Sequence, residues 1–580
     1  MTIQANASAV RRGAALLLLS ALAATACGGA GAQPPVVASA SPSPPVFDGI
    51  GDPDVAATVT TVVGSAHHPE MKWPDIPDVA PTLKDLYAAE PDGLFWFDGT
   101  TPNPRLGALV KGLALADEHG LERADYDADR LAERWSVLRS GAEIAPAQRA
   151  LFDLALSACL SRLITAVHVG RVDPATLRWG YDIAPKRPDR AAALRELRDT
   201  GDLEHALALR EPPFTHYARA RRVLARYQAA SAHEPPAVQA LGKDRKKVEP
   251  GQPWEGVGAL AARLRVFGDL TGDAPADVYD GALVDAVKRF QRRHGLDADG
   301  VIGAGTVAAV NVTIAHRVRQ IELAMERMRW LPALSDRPNL FVNVALFRMW
   351  ATDPRSTSEP LRMNVVVGKS LDHKTPIFID RMEYVVFRPY WNPPYGITVK
   401  EIIPHAKRDP AYFARENLEI VASGDDDAPA LPPTPENLAH VLSGRLSIRQ
   451  KPGPRNSLGL AKFIFPNSDN IYMHGTPAQS LFSRTRRDFS HGCIRLEDPA
   501  KLAEWVLRDQ PEWTREKIDA AMQGTRPTRV NLKEPVTVVL FYDTVHVNSE
   551  GTLFFVDDIY GHDRQLDAAL RQGYPYPTKD

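Results

Sequence analysis

The sequence predicts a multidomain α+β protein: a helical scaffold, a small compact module, and a β-rich domain interrupted by a helical and looped insertion that forms a lid. Three observations predict it. The chain has 580 residues, enough for roughly three or four domains at about 150 residues each. Residues from Pro74 to Pro250 place apolar side chains mostly at helical spacing, whereas beyond about residue 337 short β-branched and aromatic runs take over. Charged residues are 24% of the chain, and Lys+Arg 69 against Asp+Glu 71 leaves a net charge of -2, with no electrostatic footprint for nucleic acid. The only cysteines are Cys27, Cys159 and Cys493. They are too few and too scattered for a disulfide framework or a zinc or iron–sulfur site, and no metal or other cofactor is expected.

Residues 1–26 read as a secretory signal, with Arg11 and Arg12 before the small-apolar run from Ala14 to Ala26. That run is too short to remain as a bilayer-spanning helix, which needs about 20 residues. Ala24-Thr25-Ala26-Cys27 resembles a bacterial lipobox, with Ala24 where that motif prefers leucine. The resemblance implies lipidation of Cys27 and anchoring to a membrane, and Gly28 in place of a retention acid leans toward the outer membrane of the periplasm. Simple cleavage after Ala26 is the alternative. Residues 27–73 are expected to be a flexible tether, rich at first in Gly, Ala, Pro and Ser.

The scaffold, residues 74–250, contains Leu151, Leu154, Ala155, Ala158 and Cys159 on one helical stripe, so Cys159 is expected to be a buried small hydrophobe. In residues 251–313, Leu283, Ala286, Val287 and Phe290 recur at i, i+3, i+4 and i+7, predicting a helix from Ala282 to His294 that Gly295 stops. Lys288, Arg289, Arg292 and Arg293 read as its solvated face, and Thr306 as the cap of a last short helix. The string from Ala286 to Val310 resembles the peptidoglycan-binding-domain-1 family, with its Phe-Gln-x-x-x-Gly-Leu and Asp-Gly-x-x-Gly-x-x-Thr pattern. That resemblance implies a small three-helix wall-binding fold. A linking helix within residues 314–336 follows, with Val318, Ile321, Met325 and Met328 as its stripe.

The β-rich domain occupies residues 337–550, with strand-like runs at 339–351, 362–367, 384–387 and 536–542. Residues 399–449 are polar and proline-rich around a helical pattern, long enough for the lid. Residues 551–580 are left as a carboxyl-terminal segment.

The chemistry concentrates in Ile471-Tyr472-Met473-His474-Gly475-Thr476-Pro477 and Ser490-His491-Gly492-Cys493-Ile494-Arg495-Leu496. A cysteine is a nucleophile as thiolate and needs a base or cation nearby, which His474 or His491 can supply. Flanking glycines let backbone N–H groups face a developing oxyanion. Cys and His alone leave the reaction open, because unrelated thiol enzymes share them.

The full string resembles the signature of the L,D-transpeptidases with a YkuD-type catalytic domain: a histidine, a short gap, then Ser-His-Gly-Cys. Val365-Val366-Val367-Gly368-Lys369, Thr375-Pro376 and Tyr390-Trp391-Asn392-Pro393-Pro394 match that family's motifs in order, and the layout resembles its large, Gram-negative, YcbB-like subfamily. The resemblance implies that Cys493 is the nucleophile and His474 its proton acceptor, forming a thiolate–imidazolium pair. The Gly475 carbonyl orients His474, and backbone N–H groups at Gly492 and Cys493 hold the oxyanion. It implies that Arg495, His491, Tyr472, Trp391 and Asn392 contact substrate. The implied donor and acceptor are peptidoglycan tetrapeptide stems, joined between third-position diaminopimelate residues with release of D-Ala, and carbapenems are the implied inhibitors. Water, a D-amino acid or a protein could instead resolve the acyl-enzyme, giving a carboxypeptidase, an exchange enzyme or a protein-attachment enzyme. A non-catalytic wall-anchoring lipoprotein is the second alternative. The absence of Ser-x-x-Lys and Lys-Thr-Gly excludes a penicillin-binding serine enzyme, and no His-Glu-x-x-His marks a zinc peptidase.

Overall fold

The computed structural model describes residues 51–90, 93–273, 277–334, 337–370 and 373–578. The signal segment, Cys27 and the first part of the tether lie outside them. The rest of the expected tether contains a packed helix. Helix α1 (Pro53–Ser65) is capped by Asp52, whose carboxylate accepts from the Asp54 and Val55 amides, and it buries Val55, Val59, Val62 and Val63. Those valines repeat at helical spacing inside an Ala- and Thr-rich stretch that composition alone read as linker.

Helix α2 (Pro146–Val169) is the axis of the scaffold and is buried on every side, not on one stripe. It is long and apolar enough to cross a membrane, yet it lies enclosed among α1 and neighbouring scaffold helices. Its polar side chains are satisfied inside: Asp153 accepts from the Phe95 and Trp96 amides at 3.0 and 2.8 Å, and Arg162 reaches Asp78 at 2.8 Å. Cys159 is fully buried on this helix, and burial raises its thiol far above the ordinary value.

Helix α3 (Thr215–Ser231), assigned from sequence to the scaffold, packs elsewhere. Its buried face of Tyr217, Ala220, Leu224 and Tyr227 joins the core of the following module. That module consists of α4 (Val257–Val266), α5 (Gly281–Arg293) and α6 (Ala304–Val310), with Phe267, Phe290 and Val307 in its core. Two expectations fail here. Thr306 lies inside α6, where Gly303 is the cap residue, and its hydroxyl accepts from Gln291 and donates to the Val301 carbonyl. Arg293 is buried: its Nε donates to Asp269 at 3.0 Å and its Nη1 to the Leu553 carbonyl at 2.6 Å. The last turn of α5 faces another part of the chain, which periodicity within α5 does not reveal.

Helix α7 (Ile314–Trp330) leads into the β-rich domain. Strands β1 (Asn339–Asn343), β2 (Arg348–Thr352), β3 (Leu361–Gly368) and β4 (Ile379–Phe387) come before the lid. The lid contributes the separate hairpin β5 (Leu418–Val421) and β6 (Ser447–Gln450). After it come β7 (Ala461–Ile464), β8 (Met473–His474), β9 (Asp488–Ser490), β10 (Ile494–Leu496) and β11 (Thr528–Phe541). The sheet order is β9-β3-β10-β8-β7-β4-β11-β1-β2, and β2 also pairs with β3, so the sheet closes into a barrel. Inward residues such as Val365, Val385, Phe463, Met473, Ile494 and Val538 fill it.

The lid begins at about Tyr395 and has its own small core of Ile402, Ile403, Phe413, Ile420, Val441 and Ile448. Buried Arg449 holds Glu419 at 2.7 Å and the carbonyls of Asp425, Asp426 and Ala428, so the acidic loop is anchored. The carboxyl-terminal segment is equally structural. β12 (Val545–Val547) and β13 (Leu553–Phe555) pair as a hairpin in the α3 and α5 core, while α8 (His562–Leu570) packs Leu566 and Leu570 into the core that includes the barrel.

Candidate active site

Strands β7, β8 and β10 position the reactive residues by register. Lys462 pairs with His474 across β7 and β8, and His474 pairs with Arg495 across the parallel β8 and β10. Side chains alternate along a strand, so Phe463, Met473 and Ile494 enter the core while Lys462, His474 and Arg495 stand in one row outside it. Continuing the register by two residues places Tyr472 beside Cys493. The four residues Tyr472, His474, Cys493 and Arg495 therefore form a block on the barrel exterior, flanked by Lys462.

His474 is 5% exposed, and its Nδ1 hydrogen-bonds to the Gly475 carbonyl at 2.5 Å. A carbonyl only accepts, so Nδ1 carries the hydrogen and Nε2 of the neutral ring is left with its lone pair. Burial first, then the charges of Arg495 and Lys462, lower its pKa from the ordinary 6.5 to about 3, with the Gly475 bond opposing. Gly459 explains how the carbonyl comes so close. Its φ is +63°, and a Cβ there would sit 2.6 Å from the Gly475 carbonyl carbon.

Cys493 is partly buried, and its Sγ lies 3.8 Å from the Asn470 carbonyl. Burial pushes the thiol above its ordinary value, although the Tyr472 amide and hydroxyl, Lys462 and Arg495 all pull the other way. Both shifts disfavour the charged forms of the pair. Burial of both partners, and the two cations beside the imidazole, work against the thiolate–imidazolium pair expected from sequence.

Gly492 also departs from expectation. Its φ of +112° favours glycine, but its N–H donates to Ser490 Oγ at 3.1 Å and is not free for an oxyanion. The Cys493 N–H has no acceptor among the described residues and is the donor that remains. Ser490 Oγ in turn donates to the Cys493 carbonyl at 2.5 Å, fixing the turn. Behind it Thr375 Oγ1 donates to the Gly492 carbonyl at 2.7 Å, and Tyr560 OH donates to the Gly368 carbonyl at 2.6 Å while accepting from the Thr375 amide at 3.1 Å.

His491 points to the lid. Its Nε2 lies 2.7 Å from Glu401, and its ring centroid lies 4.7 Å from that of His373. Trp391 joins the lid by paired backbone bonds with Gln450. Asn392 is exposed on the loop leading into the lid. Sequence reasoning missed Lys462, whose signal was a lysine inside the otherwise apolar Ala461-Lys462-Phe463-Ile464. It also missed Glu401 and Tyr560, which reach the site from distant segments and carry no local signal. A cavity of about 860 Å³ between α3, β2 and the β12–β13 hairpin contains none of the reactive residues. No cluster of His, Cys, Asp and Glu able to hold a metal occurs among the described residues.

Residues 338–538 match the family model described as the L,D-transpeptidase catalytic domain (YkuD), residues 81–224 a scaffold domain, and residues 255–310 a "Putative peptidoglycan binding domain". The chain is 29% identical over 254 residues to a protein of Haemophilus influenzae named "Putative L,D-transpeptidase", over 43% of this chain and 49% of that one, so it spans about half the length of this curated relative. It also matches the crystal structure of an L,D-transpeptidase from Xylanimonas cellulosilytica at 16% identity, covering 53% of this chain and 100% of that one with a TM-score of 0.16. Residues 338–538 are thus a YkuD-type L,D-transpeptidase catalytic domain, carried in one chain with a scaffold domain and a peptidoglycan-binding domain.

Proposed function

We propose that this chain is a cysteine-dependent L,D-transpeptidase that forms 3-3 cross-links in peptidoglycan. The observation that carries the reading is the exterior block of Tyr472, His474, Cys493 and Arg495, with His474 Nδ1 tied to the Gly475 carbonyl. On this reading a tetrapeptide stem enters the cleft, and Cys493 attacks the diaminopimelate carbonyl preceding the terminal D-Ala. His474 Nε2 takes the thiol proton as the bond forms, so no resting ion pair is needed. The Cys493 N–H holds the oxyanion. As the intermediate collapses, His474 returns the proton to the departing D-Ala nitrogen and a thioester remains. The neutral amine of a second stem's diaminopimelate then attacks the thioester, giving a proton to His474 and an amide to the wall, and the thiol is restored.

On this reading Arg495 contacts a stem carboxylate, and Tyr472, Trp391 and Asn392 line the donor cleft of a lid-covered site of the YcbB-like kind. The signal sequence and Cys27 support a periplasmic, lipid-anchored protein, and loss of fatty-acid labelling in Cys27→Ala would agree with it. The test of function is product analysis with a disaccharide-tetrapeptide. D-Ala and dimers joined through third residues are expected, and both vanish in Cys493→Ala. Tripeptide monomer alone would replace the transpeptidase by a carboxypeptidase, and no turnover with intact folding would favour the wall-anchoring lipoprotein.

A further inference from the structure

Two cations, Lys462 and Arg495, flank His474 in one row across three strands. Both are partly buried, and burial lowers both pKa values from their ordinary positions. Among the described residues no carboxylate lies within 4.0 Å of either, although 39 ion pairs occur elsewhere. Arg495 Nε is buried without a hydrogen-bond partner, and the Lys462 ammonium rests 4.1 Å from the Tyr472 ring centroid. Desolvating two like charges in one row, with no carboxylate beside either, is costly, and a fold that keeps them is complementary to an anion. Lys462 rests on Tyr472, which the register sets beside Cys493, and Arg495 lies two residues beyond Cys493 on the same face, so the anion belongs close to the attacked bond.

In the donor proposed above, one carboxylate meets that requirement. The terminal carboxylate of the departing residue lies three covalent bonds beyond the attacked carbonyl, about 3–4 Å away. We propose that Lys462 and Arg495 form a two-cation clamp for this carboxylate, and that Lys462 thereby selects stems ending one residue beyond the attacked bond. A stem with a further residue carries its carboxylate about 3.5 Å farther on, with a neutral amide in the clamp. Both cations then stay unpaired and that substrate is rejected. The clamp rests on the donor assignment above and adds to it the residue that reads chain length.

The experiment compares release of the terminal residue from a tetrapeptide stem with a free carboxylate and from the same stem as its carboxyl-terminal amide. The wild type favours the free acid. In Lys462→Met the ratio of the two rates falls about tenfold or more, in keeping with loss of a charged hydrogen bond, and Lys462→Arg keeps most of it. An unchanged ratio, or an equal fall on both substrates, overturns the clamp and leaves Lys462 a prop for Tyr472. Should the methionine variant not fold, Lys462→Gln, which retains polarity, is judged by the same ratio. A wild type that releases nothing from either substrate overturns the donor assignment itself.

Discussion

At Cys493 and His474 two forces compete: burial raises the thiol and lowers the imidazole, while Lys462 and Arg495 favour the thiolate but oppose the imidazolium. Burial wins at the sulfur, so the free protein is expected to react slowly with iodoacetamide near neutral pH and faster as pH climbs past the ordinary thiol range. Rapid alkylation at mildly acidic pH would instead indicate a resting ion pair. His474→Ala is expected to slow acylation about 100- to 10,000-fold, the range for loss of a positioned base, measured by stopped-flow with a chromogenic β-lactam. At this scale the sequence was readable for Cys493 and His474, because nucleophile, base and glycine turn lie within one short motif. Glu401 and Tyr560 were not, because Glu401 lies 90 residues before His491, and Tyr560 supports the turn only through Thr375 and Gly368, 185 and 192 residues before it. What the sequence hid is that Ser490 Oγ accepts from the Gly492 N–H, leaving the Cys493 N–H of the expected pair.

The strands and the lid set the geometry at the next scale. The catalytic turn is backed by Thr375 and Tyr560 and bent at Gly492, where φ is +112° and an added Cβ would meet Ile471 at 3.2 Å. Gly492→Ala is expected to cost about 1–3 kcal/mol of stability from backbone strain, with acylation falling more than thermal stability accounts for. Calorimetry beside acylation kinetics checks this. The lid touches the turn through the pairing of Glu401 with His491, which is partly exposed and therefore weak. Glu401→Ala is expected to raise KM about fivefold or less, with faster hydrogen exchange across residues 399–449. The insertion was readable as polar and proline-rich, and its helical character was partly readable too. Its β5–β6 hairpin was hidden, because Arg449 and Glu419 are charged residues buried in a short strand pair, against the composition expected of one.

Across the whole molecule the carboxyl-terminal segment ties regions that sequence order keeps apart. Phe555 enters the core of α3 and α5, Leu566 and Leu570 enter the core shared with the barrel, and the Tyr574 hydroxyl lies 3.2 Å from that of Tyr126 in the scaffold. A chain ending after Glu550 is expected to lose the cooperative unfolding transition of the catalytic domain, because it exposes that apolar surface. The sequence left this segment without a role because its partners lie hundreds of residues away. Burial also ties stability to acidity. His119, His474 and His546 are held at about 3 and His562 at about 4, below the ordinary 6.5. At these four histidines the unfolded chain binds more protons than the folded one between about pH 6.5 and pH 4, so their contribution to stability falls as pH drops through that window, read in urea midpoints, while Asp153, raised by burial to about 7, opposes it. The central claim, that Cys493 is the acyl-accepting nucleophile, is tested most directly by intact-protein and peptide mass spectrometry after mixing with a tetrapeptide donor or a carbapenem. The account predicts one covalent acyl group, on Cys493 and absent from Cys493→Ala; an acyl group on another residue, or undiminished turnover by Cys493→Ala, would contradict it.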